Sequence, residues 1–173
     1  MKIYLVLGII ASLFFYSCDK KEDYVNEKSN VVDVAGEWYV SYDHATYGKD
    51  PWNIGLTTMI TYNTSSDVKD SIWISDIGHF NRSYTVKIPV DINNLTFGSS
   101  DTVISVDADS LKIIIEDGKI YKGVAKMQSG VMSDSIYFKL YFEGLEGTGI
   151  PNDRMLVSGV RRTGFIEDEP STE

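Results

Sequence analysis

The feature that most constrains this chain is a series of short runs rich in Val, Ile, Thr and Tyr that begins at Gly36. Clusters of Gly, Asn, Asp and Ser separate these runs, and no window shows a sustained helical period, so the pattern predicts strands joined by turns. Even spacing without helical crossovers favours an antiparallel meander over a parallel sheet. We predict strands near residues 36–43, 54–63, 70–76, 83–90, 101–107, 111–116, 119–128, 134–143 and 154–165.

Alternation within the runs indicates a sheet that closes on itself. Apolar residues take every second position from Tyr84 to Val90 and from Ile136 to Phe142, so each strand has one apolar face and one polar face. Closure buries the apolar faces and leaves no exposed edge. The sequence therefore predicts an all-β fold, a single antiparallel up-and-down β-barrel of about eight strands, for which 173 residues suffice.

Two connections between the predicted strands differ in kind. Asp117 and Gly118 lie between two alternating runs, and this pair predicts a hairpin over residues 111–127. The connection over residues 44–53 is longer and carries Trp52. Long loops that carry aromatic residues act as lids or as packed covers, so this loop is a candidate gate to the barrel.

The N-terminus has the pattern of a leader. Lys2 precedes an apolar run that ends at Tyr16, and the run is too short for a membrane-spanning helix, which needs about 20 residues. We predict a signal peptide over residues 1–17, lipid attachment at Cys18, and a flexible tether over residues 18–32. An unmodified thiol behind an ordinary signal peptide is the alternative for Cys18.

The rest of the chain is predicted to form the barrel domain, over residues 33–166, and a disordered acidic tail, over residues 167–173. Removal of the leader takes away one lysine and no acid, which leaves 15 Lys and Arg against 25 Asp and Glu, a net charge of −10. This acidity argues against nucleic acid as a partner. We expect a monomer that contacts a membrane only through its N-terminal lipid.

Catalytic motifs do not stand out in this sequence. There is no phosphate-binding loop, no Gly-x-Ser-x-Gly and no His-Glu-x-x-His, and we expect no metal and no cofactor. The two histidines, His44 and His79, are the candidates for a hydrolase. Such an enzyme would need a nucleophile such as Ser41 or Ser83 and an orienting acid such as Asp43 or Asp76. Pieces of this kind are frequent in any acidic chain.

Two short segments near the N-terminus resemble known export signals. Residues 15–18, Phe-Tyr-Ser-Cys, resemble a bacterial lipobox, in which the cysteine is acylated and becomes the first residue. Residues 21–23, Lys-Glu-Asp, resemble the signal that sends lipoproteins of Bacteroides-type bacteria to the outer face of the outer membrane. The resemblance implies a lipid-anchored protein of the outer membrane that faces the cell exterior.

The first and last strands resemble the calycin pattern of lipocalins. Gly36 and Trp38 open the first strand, and Arg161 and Arg162 lie in the last. In lipocalins an arginine packs over the tryptophan ring and closes one end of the barrel. The resemblance implies this closure by Gly36, Trp38 and, by our choice, Arg161. With the lipobox, the chain resembles the lipocalin-like lipoproteins of Bacteroides-type bacteria described as "lipid-binding putative hydrolases".

The interior of the barrel is the remaining candidate site. If Trp38 points inward, alternation places Tyr42 inside, and we expect the even-numbered residues of the second strand to form the matching face. The leading hypothesis is a cell-surface lipoprotein that binds a small hydrophobic or amphipathic ligand without chemistry. The alternatives are a filled barrel that binds protein or glycan through its surface, and a hydrolase. The predicted ligand-lining residues are Tyr42, Trp52, Ile60, Tyr62, Tyr84, Val86, Phe138 and Phe142.

Overall fold

The computed structural model describes residues 27–76, 83–107, 111–142, 149–150 and 154–170, with Phe142 described by its backbone alone. The predicted signal peptide, Cys18 and the first part of the predicted tether lie outside these ranges. Within the described ranges, no helix is long and apolar enough to cross a membrane.

Eight strands close into one antiparallel barrel, in which each strand pairs with the next along the chain and the last pairs with the first. This closed up-and-down barrel confirms the predicted all-β fold. The helix found among the described residues is a single 3-10 turn, Ile166–Asp168. The strands are β1 Gly36–His44, β2 Thr57–Asn63, β3 Ser71–Asp76, β4 Tyr84–Asp91, β5 Thr96–Ile104, β6 Lys112–Lys126, β7 Met132–Phe142 and β8 Met155–Arg161.

The predicted hairpin over residues 111–127 is wrong, because β6 runs through it as one continuous strand. Asp117 adopts a φ of 55°, and the register with β7 shifts just after Glu116, so the Asp-Gly pair forms a bulge and not a turn. Gly118 is needed there, since a Cβ atom would lie 2.3 Å from the ring of Phe97. Pairing with β5 on one side and β7 on the other overrides the local turn preference.

Strand β5 begins earlier than predicted, at Thr96. The turn before it is held by Asp91, whose carboxylate accepts hydrogen bonds from the amides of Asn93 (2.9 Å) and Asn94 (3.2 Å). Glycine and serine at the start of β5 have weak strand propensity, so the composition predicted no strand here. The pairing of Thr96 with β6 places these residues in the sheet.

The barrel domain also begins earlier than predicted, because the end of the predicted tether packs on the barrel. The hydroxyl of Ser29 donates to the carboxylate of Asp67 at 2.5 Å, in the turn between β2 and β3. Val31 and Val34 are fully buried at this end of the barrel. Residues 29–35, which we call the plug, therefore belong to the folded domain.

The start of the predicted disordered tail is likewise docked on the barrel. Asp168 accepts hydrogen bonds from the amide and the hydroxyl of Ser129, both at 2.7 Å. Glu169 accepts one from Arg162 at 2.8 Å. The predicted disorder is thus wrong for residues 167–170, and the last three residues lie outside the described ranges.

Candidate functional site

The two ends of the barrel are built from different connections. The β1–β2 connection and the C-terminal ends of β3, β5 and β7 lie at one end, which we call the mouth, because successive strands run in opposite directions. The plug and the turns β2–β3, β4–β5 and β6–β7 lie at the other end, which we call the closed end. A ligand site inside the barrel can open only at one of these ends or through the wall.

Arg161 closes the barrel at the closed end. Its guanidinium carbon lies 5.2 Å from the centroid of the Trp38 ring. The same guanidinium donates to the carbonyl of Ala35, in the plug, and to Asp134 at 3.2 Å. Gly36 leaves room for this contact, since a Cβ atom would lie 2.6 Å from Nε of Arg161. Gly36, Trp38 and Arg161, the three residues that the resemblance implied for closure, are thus in contact with one another.

The indole of Trp38 is also fixed by hydrogen bonds. Its Nε1 donates to Thr61 Oγ1 at 2.9 Å, and the Thr61 hydroxyl donates to the carbonyl of Val34 at 2.7 Å. Arg162 lies on the outer side, where it pairs with Glu37 at 3.0 Å. The closed end is therefore a packed and hydrogen-bonded seal.

The mouth half of the interior holds a polar cluster of Tyr42, Asp76 and Tyr84. Their side chains are buried, with only 1% of Asp76 exposed. Tyr42 donates its hydroxyl to Oδ2 of Asp76, and Asp76 faces Tyr84 across the β3–β4 ladder. A carboxylate inside an apolar barrel is costly unless it is compensated by partners, so its presence marks this place as a candidate site.

The environment of the polar cluster keeps both phenols protonated. Burial raises the pKa of Tyr42 well above its ordinary value of 10.0, and the neighbouring Tyr84 and Asp76 raise it further. Burial also raises the pKa of Tyr84, with the charge of Asp76 as the next cause. Both side chains can therefore donate hydrogen bonds at neutral pH.

The loop of residues 45–56, which we call the lid, covers the mouth beside the polar cluster. Trp52 is half-buried against the core, and its ring lies 5.8 Å from that of His44 in an edge-on arrangement. Nδ1 of His44 accepts a hydrogen bond from the amide of Thr46 at 3.0 Å. Asp50 holds the far side of the lid, where its carboxylate accepts from the amide of Ile54 at 2.7 Å. The lid is thus an ordered cover.

Four of the predicted lining residues lie inside the barrel wall: Tyr42, Tyr84, Val86 and Phe138, all buried. Trp52 lies in the lid. Phe142 ends β7 with its backbone paired to Ile113, and its side chain is outside the described part of the structure. Whether these residues bind a ligand stays a prediction.

Ile60 and Tyr62 were placed on the wrong face of β2. Trp38 is the direct partner of Met59 in the β1–β2 ladder, and directly paired residues share a face of the sheet. The odd-numbered residues of β2, such as Thr61, therefore point inward, while 37% of Tyr62 is exposed on the outer side. A shift of one residue in register turned the predicted face outward.

Sequence reasoning missed Asp76 as an interior residue and considered it only as a catalytic acid. The signal was present, because Ile72 and Ile74 precede it at two-residue spacing in β3, and all three are buried. Strand alternation alone would have placed the carboxylate beside the interior apolar residues.

The described residues do not bring Ser41, His44 and Asp43 together as a hydrolase site. His44 is buried on the inner face of β1, whereas Ser41 and Asp43 alternate to the outer face. A triad of these three is therefore wrong on geometry. His79 lies outside the described ranges. Within those ranges, no group of three His, Cys, Asp or Glu side chains could hold a metal ion.

Cavities lined by described residues open on the outside of the barrel. One, of about 650 Å³, lies over the short β4–β5 pairing and the β6 bulge, between Pro89, Phe97 and Tyr121. A second, of about 510 Å³, separates the outer side of the lid from the wall, with Leu56 and Ser158 on opposite sides. The second cavity gives the lid room on its outer side.

Comparison with known proteins identifies the family. No curated protein matches the chain. Residues 23–166 match the family described as "Lipid-binding putative hydrolase", and this match covers the barrel from before the plug to the start of the 3-10 turn. Because the match spans most of the sequence and the whole barrel, the chain belongs to this lipid-binding family.

Proposed function

We propose that the protein is a lipoprotein of the cell surface whose calycin-like barrel binds a small hydrophobic or amphipathic ligand at the mouth, without chemistry. The observation that carries the proposal is the buried polar cluster of Tyr42, Asp76 and Tyr84 among largely apolar interior side chains. The family description supports lipid binding as the activity.

The distribution of polar groups fits an amphipathic ligand. Next to the polar cluster, the interior continues with apolar side chains such as Val86 and Phe138. A ligand with an apolar body could bury that body against these residues, at about 25 cal/mol per Å² of apolar area. The cluster would then orient its polar end by hydrogen bonds.

The lid provides the route of access. Asp76 is almost fully covered, so a ligand reaches it only when part of the cover moves. Trp52 contacts the core from within the lid, and the cavity between Leu56 and Ser158 lies behind it. We expect ligand binding to displace the Trp52 side chain from the position that it occupies here.

Anchoring would place the mouth away from the membrane. The plug, which the lipidated N-terminus would enter, lies at the closed end. Acylation at Cys18 would give durable attachment, because each buried methylene contributes about 0.8 kcal/mol. In this arrangement the acidic barrel projects outward from the outer membrane, and its mouth faces the surroundings of the cell.

Native mass spectrometry of the protein extracted from its producing cells tests the proposal. We expect a non-covalent adduct of lipid mass that disappears under denaturing conditions, while the acyl chains on Cys18 stay attached. A Cys18→Ser protein separates the two, since it loses the covalent mass and keeps the adduct. A bare protein under native conditions, with intact acylation, would contradict ligand carriage and favour the filled barrel that binds through its surface.

A further inference from the structure

The polar cluster also indicates the chemical class of the ligand's polar end. Resting on the proposed function, we infer that this end is a hydrogen-bond donor, an alcohol or an amine, and not a carboxylate. The juxtaposition behind the inference is Asp76 buried at the mouth with the hydroxyl of Tyr42 pointing at it.

The direction of the Tyr42 hydrogen bond makes the carboxylate of Asp76 the acceptor of the cluster. A phenol has one hydrogen to donate, and Tyr42 donates it to Oδ2 of Asp76. The two oxygens of a carboxylate can together accept about four hydrogen bonds, so Asp76 is the group of the cluster that would accept from the head of a ligand.

The charges along the inner wall argue against a carboxylate head. A second carboxylate beside Asp76 would bring two like charges together in a poorly solvated place, which strongly disfavours ionisation of both. Among the described inward-facing residues the basic ones are His44 and Arg161. Arg161 lies at the closed end, bound to the plug, and Nδ1 of His44 accepts from the amides of the lid.

The position of the cluster also fixes the orientation of the ligand. Asp76 and Tyr84 are the last residue of β3 and the first of β4, so the head lies directly beneath the mouth. The seal formed by Trp38 and Arg161 limits the depth of the site. The tail of the ligand extends along Val86 and Phe138.

Three twelve-carbon amphiphiles that differ only at the head test the inference: 1-dodecanol, dodecylamine and laurate. Each is titrated into the Cys18→Ser protein by calorimetry, the alcohol below its solubility limit and the amine and laurate below their micelle concentrations. We expect the alcohol and the amine to bind about ten-fold more tightly than laurate, the size of one hydrogen bond to a charged group. Tighter binding of the amine than of the alcohol would identify charge, and equal binding would identify hydrogen bonding, as the source of the preference.

Substitutions in the polar cluster test whether it causes the preference for a donor head. Asp76→Asn keeps the shape and adds a donor, so laurate should gain affinity and the alcohol should lose it. Tyr84→Phe should weaken all three amphiphiles, while the control Tyr62→Phe removes a phenol from the outer face and should change none. If Asp76→Asn does not fold, the order of the three affinities for the unsubstituted protein still decides between a donor and a carboxylate as the polar end.

The outcomes separate the inference from the proposed function. Laurate binding as tightly as dodecanol, with displacement of the lid, would overturn the donor head and leave ligand binding intact. Absence of binding for all three amphiphiles, together with no lipid on the protein from its producing cells, would overturn both.

Discussion

The closed end and the mouth of this barrel bury polar groups in opposite ways. At the closed end, the guanidinium of Arg161 lies over Trp38 and is held by Ala35 and Asp134, so charge and hydrogen bonds join the plug to the wall. At the mouth, Asp76 is buried more deeply, beside two phenols, one of which donates to it from β1. The first arrangement joins the plug to the wall and closes the barrel, whereas the second joins two strands inside the barrel.

This difference separates the part of the barrel that we expect to govern stability from the part that we propose to bind a ligand. A protein interior gains more from well-packed apolar residues than from buried charge. The guanidinium at the closed end is held by carbonyl and carboxylate partners near solvent, while the carboxylate at the mouth is held by the phenol of Tyr42 inside the barrel. Stability experiments should therefore affect the closed end most, and ligand experiments the mouth.

The largest expected difference is between the two tryptophans. Trp38→Ala should lower the free energy of unfolding by about 3–5 kcal/mol, because it removes a fully buried aromatic side chain at the seal. Trp52→Ala should cost less than half as much, since this side chain is half-buried in the lid. Urea denaturation of both variants measures the two losses. Equal losses would mean that the lid is as structural as the seal.

A smaller effect is expected from a single methyl group at the seal. Gly36→Ala should destabilise by about 1–3 kcal/mol, because the new Cβ would lie 2.6 Å from Nε of Arg161. The double variant with Arg161→Ala is the control, since removal of the guanidinium opens the space. Strictly additive losses in this double-mutant cycle would contradict the close approach of the two residues.

Alkaline pH should lower the free energy of unfolding through the two buried tyrosines at the mouth. The folded-state pKa values of Tyr42 and Tyr84 are raised above 10.0 by burial, so the folded protein holds these protons more firmly than the unfolded chain. Their contribution to stability is complete below pH 10 and is lost as the pH rises above it. Tyr84→Phe should make the decline between pH 9 and pH 11 shallower. An unchanged slope in denaturant titrations would argue that the phenol is exposed.

Acidic pH should have a smaller effect, which is to weaken the attachment of the plug at the closed end. The hydroxyl of Ser29 and the groups of Asn30 hold the pKa of Asp67 below its ordinary value of 3.8. The stabilisation of the plug by this carboxylate is present above pH 3.8 and is lost as the pH falls through the lower folded-state value. The protection factors of the Val31 and Val34 amides, which compare their exchange with the unprotected rate at the same pH, should fall in acid in the wild type. In Asp67→Asn these protection factors should be low already and change little with pH.

Most of the architecture could be predicted from the sequence, because alternation and turn composition are local signals. The contact of Arg161 with Trp38 followed from the resemblance, and the interior places of Tyr84 and Phe138 followed from alternation. The β6 bulge at Asp117 could not be read locally, since Asp-Gly suits both a tight turn and a bulge. Only the strands that pair on both sides of β6 decide between them.

The candidate site was less predictable for two physical reasons. The inward face of β2 depends on which residue meets Trp38, and an error of one position moved Ile60 and Tyr62 to the wrong side. Asp76 was considered only as an orienting acid for a histidine, because the two residues lie close in the sequence. The alternation of β3 places its side chain inside the barrel, beside Ile72 and Ile74.

Hydrogen exchange with and without 1-dodecanol tests the central claim most directly, because it locates the bound ligand along the chain. The ligand should slow exchange in the lid and at the mouth ends of β1, β3 and β4, where Tyr42, Asp76 and Tyr84 lie, and leave the amides around Trp38 and Arg161 unchanged. Protection at the plug, or over the outer cavity at Phe97 with an unchanged lid, would contradict a ligand site at the mouth.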